Sequence, residues 1–406
     1  MRRIPADQWS IFGREWKRLP AIGVISKAGG GKDEGLVGPV AFQELVRGVA
    51  DLVVMDPKLE QLGAALKYGY MPEDADVYIY GTSPRLDPYY YTDAFDLFAL
   101  QGNLSTARII TEERSQEAHW QHKAAELLAV AHAALEEMTG EPAALGYVRE
   151  VIADREALSE LRKESLAVAN VADEEKEWGY IRSTAKKALE PLESERVKLL
   201  FGSEGVRMPD FTSPRRQIVF LCPDSGAGDE EAKLTAAMVD VLVQLGRAAG
   251  PERVQKFIMN EAGSFMSLPK LPHYVDIGRG ESIYMMYVLQ SWSQLVNRLG
   301  ASGARNLWSG SAAQIVGQGA EPELAEEMCG YADPVRRTHR QPRQFGDAPG
   351  GERVAEERRP GLQPHHVTGL GINEWVMRVA PEIYRFKVPE RYTQSEQLKK
   401  LKKLAG

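Results

Sequence analysis

Ser26-Lys27-Ala28-Gly29-Gly30-Gly31-Lys32-Asp33 is the stretch on which the fold turns. It follows a short apolar run, Ala21-Ile22-Gly23-Val24-Ile25, and precedes Gly35-Leu36-Val37. Strand, glycine-rich turn, then lysine is the order in which a phosphate-cradling loop is built. Glycines let backbone N–H groups close round phosphate oxygens, the next helix adds positive potential at its N-terminus, and the lysine brings a point charge. The pattern G-x-x-x-x-G-K-[ST] asks for Gly at the first position and Ser or Thr at the last; this chain has Ser26 and Asp33 there. Three glycines and a lysine also make an ordinary surface turn, so the rest of the chain decides.

Downstream, residues 34–49 read as a helix despite Pro39, and Asp51-Leu52-Val53-Val54-Met55-Asp56 as a second buried strand. Strand, helix, strand at this spacing is a βαβ unit and predicts a parallel sheet, whose functional groups gather at the C-terminal strand ends. A third strand is expected at Asp76-Val77-Tyr78-Ile79-Tyr80, and upstream Trp9, Phe12 and Trp16 stand near the spacing of a short leading helix. From about residue 111 to 201 strand signals vanish. Apolar residues recur at helical intervals, as in Leu127, Leu128, Ala131, Ala134 and Leu135, with breaks at 140–142 and 170–173. This all-α block is either a packing bundle or a lid or binding arm. Strands resume at 217–222, 256–261, 284–290 and 312–316, with helices at 230–249, 293–299, 303–308 and 321–329.

After Tyr331 the apolar rhythm is lost. Arg336, Arg337, Arg340, Arg343, Arg353, Arg358 and Arg359 stand among Gly, Pro and Gln, the composition of a mobile linker; the other reading is a basic arm that touches nucleic acid. Order is expected again at 373–379 and 382–387, ahead of the charged tail Lys399-Lys400-Leu401-Lys402-Lys403. The expected division is residues 1–110, first part of a nucleotide-binding domain; 111–205, inserted all-α domain; 206–332, its second part; 333–365, Arg/Gly/Pro-rich linker; and 366–406, C-terminal segment.

Composition sets outer bounds. With 406 residues, 43% hydrophobic and 26% charged, the chain suits an ordinary globular protein of two or three domains. A net charge of −7 does not announce a nucleic-acid partner, though a local basic channel is compatible with it. Cys222 and Cys329 are the two cysteines; they make no metal pattern and no disulfide framework, which fits a reducing compartment. No signal peptide is seen, and no apolar run reaches the ~20 residues of a membrane span.

Four strand ends line up in chemistry: Gly31-Lys32, Asp56-Pro57-Lys58, Asn260-Glu261 and Gln290. A parallel-sheet NTPase of the RecA-like kind needs such groups: a lysine and loop amides on phosphates, an acid that polarises water, and a polar residue on a neighbouring strand that senses the γ-phosphate.

In this order the chain resembles the type IV secretion coupling proteins, the TraG/TraD group of conjugative DNA-translocating ATPases. Gly30-Gly31-Lys32-Asp33-Glu34-Gly35-Leu36-Val37 stands at the family's phosphate loop, and Val53-Val54-Met55-Asp56-Pro57-Lys58-Leu59-Glu60 is similar to its D-P-K-x-E strand end. The stretch from Ala118-His119-Trp120 to Glu126-Leu127-Leu128 resembles the start of its all-α insertion. Ile258-Met259-Asn260-Glu261-Ala262 with Leu268-Pro269-Lys270-Leu271, and Leu289-Gln290-Ser291 with Gln294-Leu295, resemble two further motifs.

The resemblance implies an α/β, RecA-like P-loop NTPase with a mainly parallel sheet interrupted by an inserted all-α domain. It implies ATP and Mg2+ as cofactors and a homo-hexamer around a pore with nucleotide sites at subunit boundaries. The implied partners are single-stranded DNA with relaxase, or effector proteins, and the components of the secretion channel. Without a membrane span in this chain, the implied place is cytoplasmic and peripheral at the inner face of the bacterial membrane. Gly29, Gly30, Gly31, Lys32, Asp33, Glu34, Asp56 and Lys58 are the expected nucleotide-binding residues. Glu261 is the expected water-orienting base, Gln290 the sensor, and Arg279 a finger reaching a neighbour's nucleotide.

Two positions depart from the family. Asp33 replaces the hydroxyl that would ligate Mg2+, and Asn260 replaces the aspartate that would hold a metal-bound water. An anion ~4 Å from a phosphate charge costs about 4 kcal/mol at an effective dielectric near 20, which points to a degenerate, non-hydrolysing scaffold or adaptor. In the other reading the two changes offset each other, with Asp33 and Asn260 together forming the metal site of an active ATPase.

Overall fold

The computed structural model describes residues 2–3, 19–47, 50–86, 93–100, 104–111, 118–141, 143–172, 174–202, 206–226, 228–329, 335–339, 353–357, 363–379 and 382–387. The expected leading helix around Trp9, the charged tail, and the side chains of the arginines between 336 and 359 lie outside the described residues.

Twelve strands are described: β1 (Arg2–Arg3), β2 (Ala21–Ile25), β3 (Asp51–Met55), β4 (Ala75–Gly81), β5 (Arg216–Cys222), β6 (Gln255–Met259), β7 (Ile283–Leu289), β8 (Ala313–Val316), β9 (Val335–His339), β10 (Arg353–Glu357), β11 (Glu374–Val379) and β12 (Glu382–Lys387). Ten of them form one sheet in the order β1-β12-β11-β8-β2-β7-β6-β3-β5-β4. From β8 to β4 every neighbouring pair is parallel. The strand leading to Gln290, β7, is therefore inserted between β2, which feeds the glycine loop, and β6, which feeds Asn260 and Glu261. All three groups leave the same edge of the sheet.

Alternation along the strands explains why both faces are covered. Ile22, Val24, Leu52 and Val54 point to one face, and Ala21, Ile25, Val53 and Met55 to the other. The first face is covered by the helices Gly38–Arg47 and Glu60–Tyr68, through Val40, Phe42, Leu45 and Leu62. The second packs on Asp229–Ala248 and, through Ile109 and Leu127, on the helices between β4 and β5. These helices run from Leu104–Thr111 to Glu195–Leu200, and their apolar core is continuous with the core beneath the sheet. Their ends are fixed locally. Asp154 accepts from the amides of Glu156 and Ala157, and Arg182 closes the preceding helix on the carbonyls of Ile152 and Ala153.

A buried polar belt holds the opposite edge of the sheet. The Arg216 guanidinium donates to the carbonyls of Glu44, Leu45 and Ala50, so a cation closes the C-terminal end of Gly38–Arg47. Lys256 and Glu44 form an ion pair at 2.7 Å with both side chains buried.

Three local findings differ from the sequence expectation. The strand expected over 256–261 ends at Met259, leaving Asn260 and Glu261 just beyond it. The two helices expected at 293–299 and 303–308 are one, Trp292–Gly310, kinked at Gly300, which adopts φ 70°. Within the stretch read as a linker, β9 and β10 pair antiparallel.

Candidate functional site

The loop leaves β2 through Gly29 and Gly31, both in the left-handed region, and runs into one π-helical turn, Asp33–Val37, before the α-helix. That geometry brings Lys32 back over the sheet edge. Lys32 is almost wholly buried, and its Nζ donates to Glu261 Oε1 at 3.1 Å. Glu261 Oε2 accepts from Gln290 Nε2 at 2.6 Å. Lys58 Nζ lies 3.1 Å from Glu261 Oε1 and 3.2 Å from Asp33 Oδ2. Asp33 Oδ1 accepts from Asn260 Nδ2 at 2.6 Å. The two positions that depart from the family pattern thus touch each other.

Asp56 plays a different part. Its carboxylate is buried and accepts from the backbone amides of Glu60 and Leu62. Burial raises its pKa to about 7, against the lowering effect of those amides. It fixes the turn that presents Lys58, with Leu59 in the left-handed region as part of that turn. Gly30 lies within the loop, and Glu34 is exposed beside it. Arg279 lies on the helix Leu271–Glu281, and its side chain is outside the described residues.

The charges tune one another. Burial works to raise the Glu261 pKa, but Lys32 and Lys58 overcome it and hold the carboxyl below its usual range. Burial likewise works against the Lys58 charge, and Asp33 and Glu261 outweigh it, so Lys58 titrates above an ordinary lysine. As arranged, Glu261 is a carboxylate ion-paired with both Lys32 and Lys58. Beside it opens a cavity of about 1150 Å³, reaching from Lys58, Glu261 and Gln290 to Lys187 of the helical block and Arg298.

Sequence reasoning missed two features. The first is backbone strain. Four non-glycine residues among those described have positive φ: Leu59, Glu261, Ser282 and Asn373. Three of them, all but Ser282, flank the loop, and such conformations cost ~1–3 kcal/mol each and gather at functional sites. The second is the turn before β11. Asn373 Oδ1 is buried and is aimed at the loop: a Cβ at Gly31 would stand 2.0 Å from it, and one at Gly35 2.6 Å. This packing leaves no room for a side chain at Gly31 or Gly35 unless Asn373 moves. The only sequence signal was an asparagine ahead of a strand. Gln294 accepts from the Gln290 amide and lies against Gly263, fixing Gln290 to the segment after Glu261.

The residues expected to hold Mg2+ do not offer it a donor set. Asn260 Oδ1 accepts from the Glu261 amide, which assigns the nitrogen to Asp33, and a nitrogen donor is no metal ligand. Asp33 Oδ2 faces an ammonium. Among the described residues no three His, Cys, Asp or Glu converge on a metal position.

A parallel sheet with β7 between the loop strand β2 and the acid strand β6, and these groups at its C-terminal edge, defines a RecA-like P-loop fold. Residues 255–371 match the family model described as the TraM recognition site of TraD and TraG. In structure the chain is similar to the bacterial conjugative coupling protein TrwBdeltaN70 in a trigonal form with sulphate, at 17% identity and a TM-score of 0.74, covering 98% of this chain and 91% of that one. It is similar to TrwB in complex with ADP and Mg2+, at 17% identity and a TM-score of 0.69, covering 97% and 92%. VirB4 of Thermoanaerobacter pseudethanolicus matches at 10% identity and a TM-score of 0.58, covering 92% and 90%. No curated protein matches the chain in sequence. The match over residues 255–371 and the shared fold agree with the resemblance to the TraG/TraD coupling proteins expected from the sequence. Among the described residues no helix is long and apolar enough to cross a membrane.

Proposed function

We propose that the chain is a coupling-protein-like ATPase that recruits substrate to a type IV secretion or conjugation channel and drives it through. The observation that carries this reading is the single network joining Lys32, Asp33, Lys58, Glu261 and Gln290 at the strand ends. The fold it sits on is similar to TrwB, whose solved complexes include ADP with Mg2+ and the ATP analogue ADPNP. Lys32 exchanges its ion pair with Glu261 for the β- and γ-phosphates, with Gly29, Gly30 and Gly31 supplying loop amides. Glu261, its Oε1 then shared with Lys58 alone, orients the attacking water, while Gln290 stays bonded to Oε2 and transmits the change along β7.

In this reading the working form is a homo-hexamer with nucleotide at subunit boundaries, where Arg279 reaches a neighbour's nucleotide. The cargo is single-stranded DNA with relaxase or an effector protein, and the match over residues 255–371 supports recognition of a TraM-like partner by that part of the chain. The cavity between the strand ends and the helical block is where the hydrolysis state is relayed to that block.

The non-hydrolysing scaffold is favoured by one observation: Lys32 and Glu261 are locked together and largely buried. ATP binding and turnover by the purified chain, with and without Lys32→Ala, separates the two. Turnover that Lys32→Ala abolishes supports the motor; binding without turnover supports the scaffold.

A further inference from the structure

Asp33 is the residue that stands most against phosphate at this loop, and the structure supplies its counter-charge. Lys58 Nζ lies 3.2 Å from Asp33 Oδ2 and 3.1 Å from Glu261 Oε1, so one ammonium bridges both carboxylates. We propose that Lys58 is the tethered cation of this site: it stands where a divalent ion would otherwise neutralise the strand-end acids, so the β- and γ-phosphates of a nucleoside triphosphate bind with little need of Mg2+. The inference rests on the nucleotide-binding reading above.

Four observations converge on it. First, Lys32 and Lys58 balance Asp33 and Glu261 in charge, and when Lys32 turns to the phosphates Lys58 still bridges both acids. Second, the turn that carries Lys58 is fixed and its Nζ is placed by the two carboxylates. The buried Asp56 carboxylate ties the turn to the amides of Glu60 and Leu62, and Leu59 takes the left-handed conformation that closes it. A pre-positioned cation loses little freedom on binding. Third, Asn260 is neutral and donates to Asp33. An aspartate there would put a third carboxylate beside Asp33 and Glu261 and call for more positive charge; asparagine leaves two acids, both of which Lys58 reaches. Fourth, a divalent ion on Asp33 Oδ2 would meet the ammonium at close range, where like charges repel strongly. Lys58 is thus a positioning residue, acting on phosphate through the acids it neutralises.

The test is equilibrium binding of ATP to the full chain, in excess Mg2+ and in a chelator, for the wild type, Lys58→Met and Lys58→Arg, with thermal unfolding to confirm folding. The wild type is expected to bind with affinities that agree within about threefold in the two buffers. Lys58→Met is expected to lose at least about tenfold in chelator, equivalent to about 1.4 kcal/mol, and to recover most of it in Mg2+. Lys58→Arg keeps the charge and is expected to stay within about threefold of the wild type. Wild-type binding that needs Mg2+ overturns the inference and leaves the nucleotide site standing. Absence of ATP binding in both buffers overturns the nucleotide site itself. Lys58→Met that keeps wild-type affinity in chelator also overturns the inference, and Lys58→Gln takes its place if Lys58→Met fails to fold.

Discussion

Asp33 and Asn260 are neighbours in space although 227 positions apart, joined by a 2.6 Å hydrogen bond. Substituting either alone should therefore have a cost that the other relieves. Asn260→Asp sets two carboxylates against each other and is expected to destabilise the chain by ~1–3 kcal/mol; adding Asp33→Thr is expected to reverse most of that loss. Urea unfolding of the singles and the double measures the coupling, and additive effects would show that the two residues are independent. Asp56 yields a pH prediction. Its folded pKa of about 7 lies above the ordinary value of 3.8, so the folded state holds this proton more tightly than the unfolded chain. The resulting stability is complete below the ordinary value and is lost as pH rises toward the folded one. Asp56→Asn is expected to flatten this part of the stability profile between about pH 4 and about pH 7. The opposite slope holds for Glu261, whose depressed pKa gives stability that fades as acid protonates it.

At the scale of elements, the turn before β11 and the start of the helix after the loop behave as one unit. Gly35 has no room for a methyl because Asn373 Oδ1 would lie 2.6 Å from it. Gly35→Ala alone is expected to cost ~1–3 kcal/mol by overpacking. Asn373→Gly keeps the left-handed backbone and removes the obstacle, so in that background Gly35→Ala should be neutral or stabilising by up to ~1 kcal/mol, alanine being the better helix residue. Thermal melts of the four proteins check the cycle. At the far edge, the buried Lys256–Glu44 pair joins β6 to the helix Gly38–Arg47. Lys256→Met is expected to destabilise by ~3–5 kcal/mol by stranding a buried carboxylate, and Lys256→Met with Glu44→Leu to recover most of that loss.

For the whole molecule, the proposed sharing of nucleotide sites between subunits would make turnover depend on assembly. Specific ATPase activity is expected to rise with chain concentration and to level off as oligomers form, and Arg279→Ala to remove turnover while leaving nucleotide binding intact. Activity strictly proportional to concentration, with a monomer by light scattering, would defeat the shared-site arrangement. The helical block enters through the core that it shares with the sheet and through the cavity running from Glu261 to Lys187, so a change at the strand ends has a short path to it.

Much of this was written in local pattern. Apolar runs such as Ala21–Ile25 and residues 52–55 made a doubly covered parallel sheet legible, because a strand buried on both faces has no polar alternation. The strand-end residues were legible for the same reason: in a parallel sheet the groups that follow each run share one edge. Contacts between segments distant in the chain were not. That Asp33 meets Asn260, that Lys58 rather than Asp56 faces the acids, and that Asn373 packs on Gly31 and Gly35 depend on strand order and on left-handed backbone at Leu59, Glu261 and Asn373. Side chains tens or hundreds of residues apart leave no periodicity in one sequence. The residue types at the loop followed from the sequence; which cation answers Asp33 was decided only by the tertiary structure, where β3, two places away in the sheet from β7, brings Lys58 to 3.2 Å.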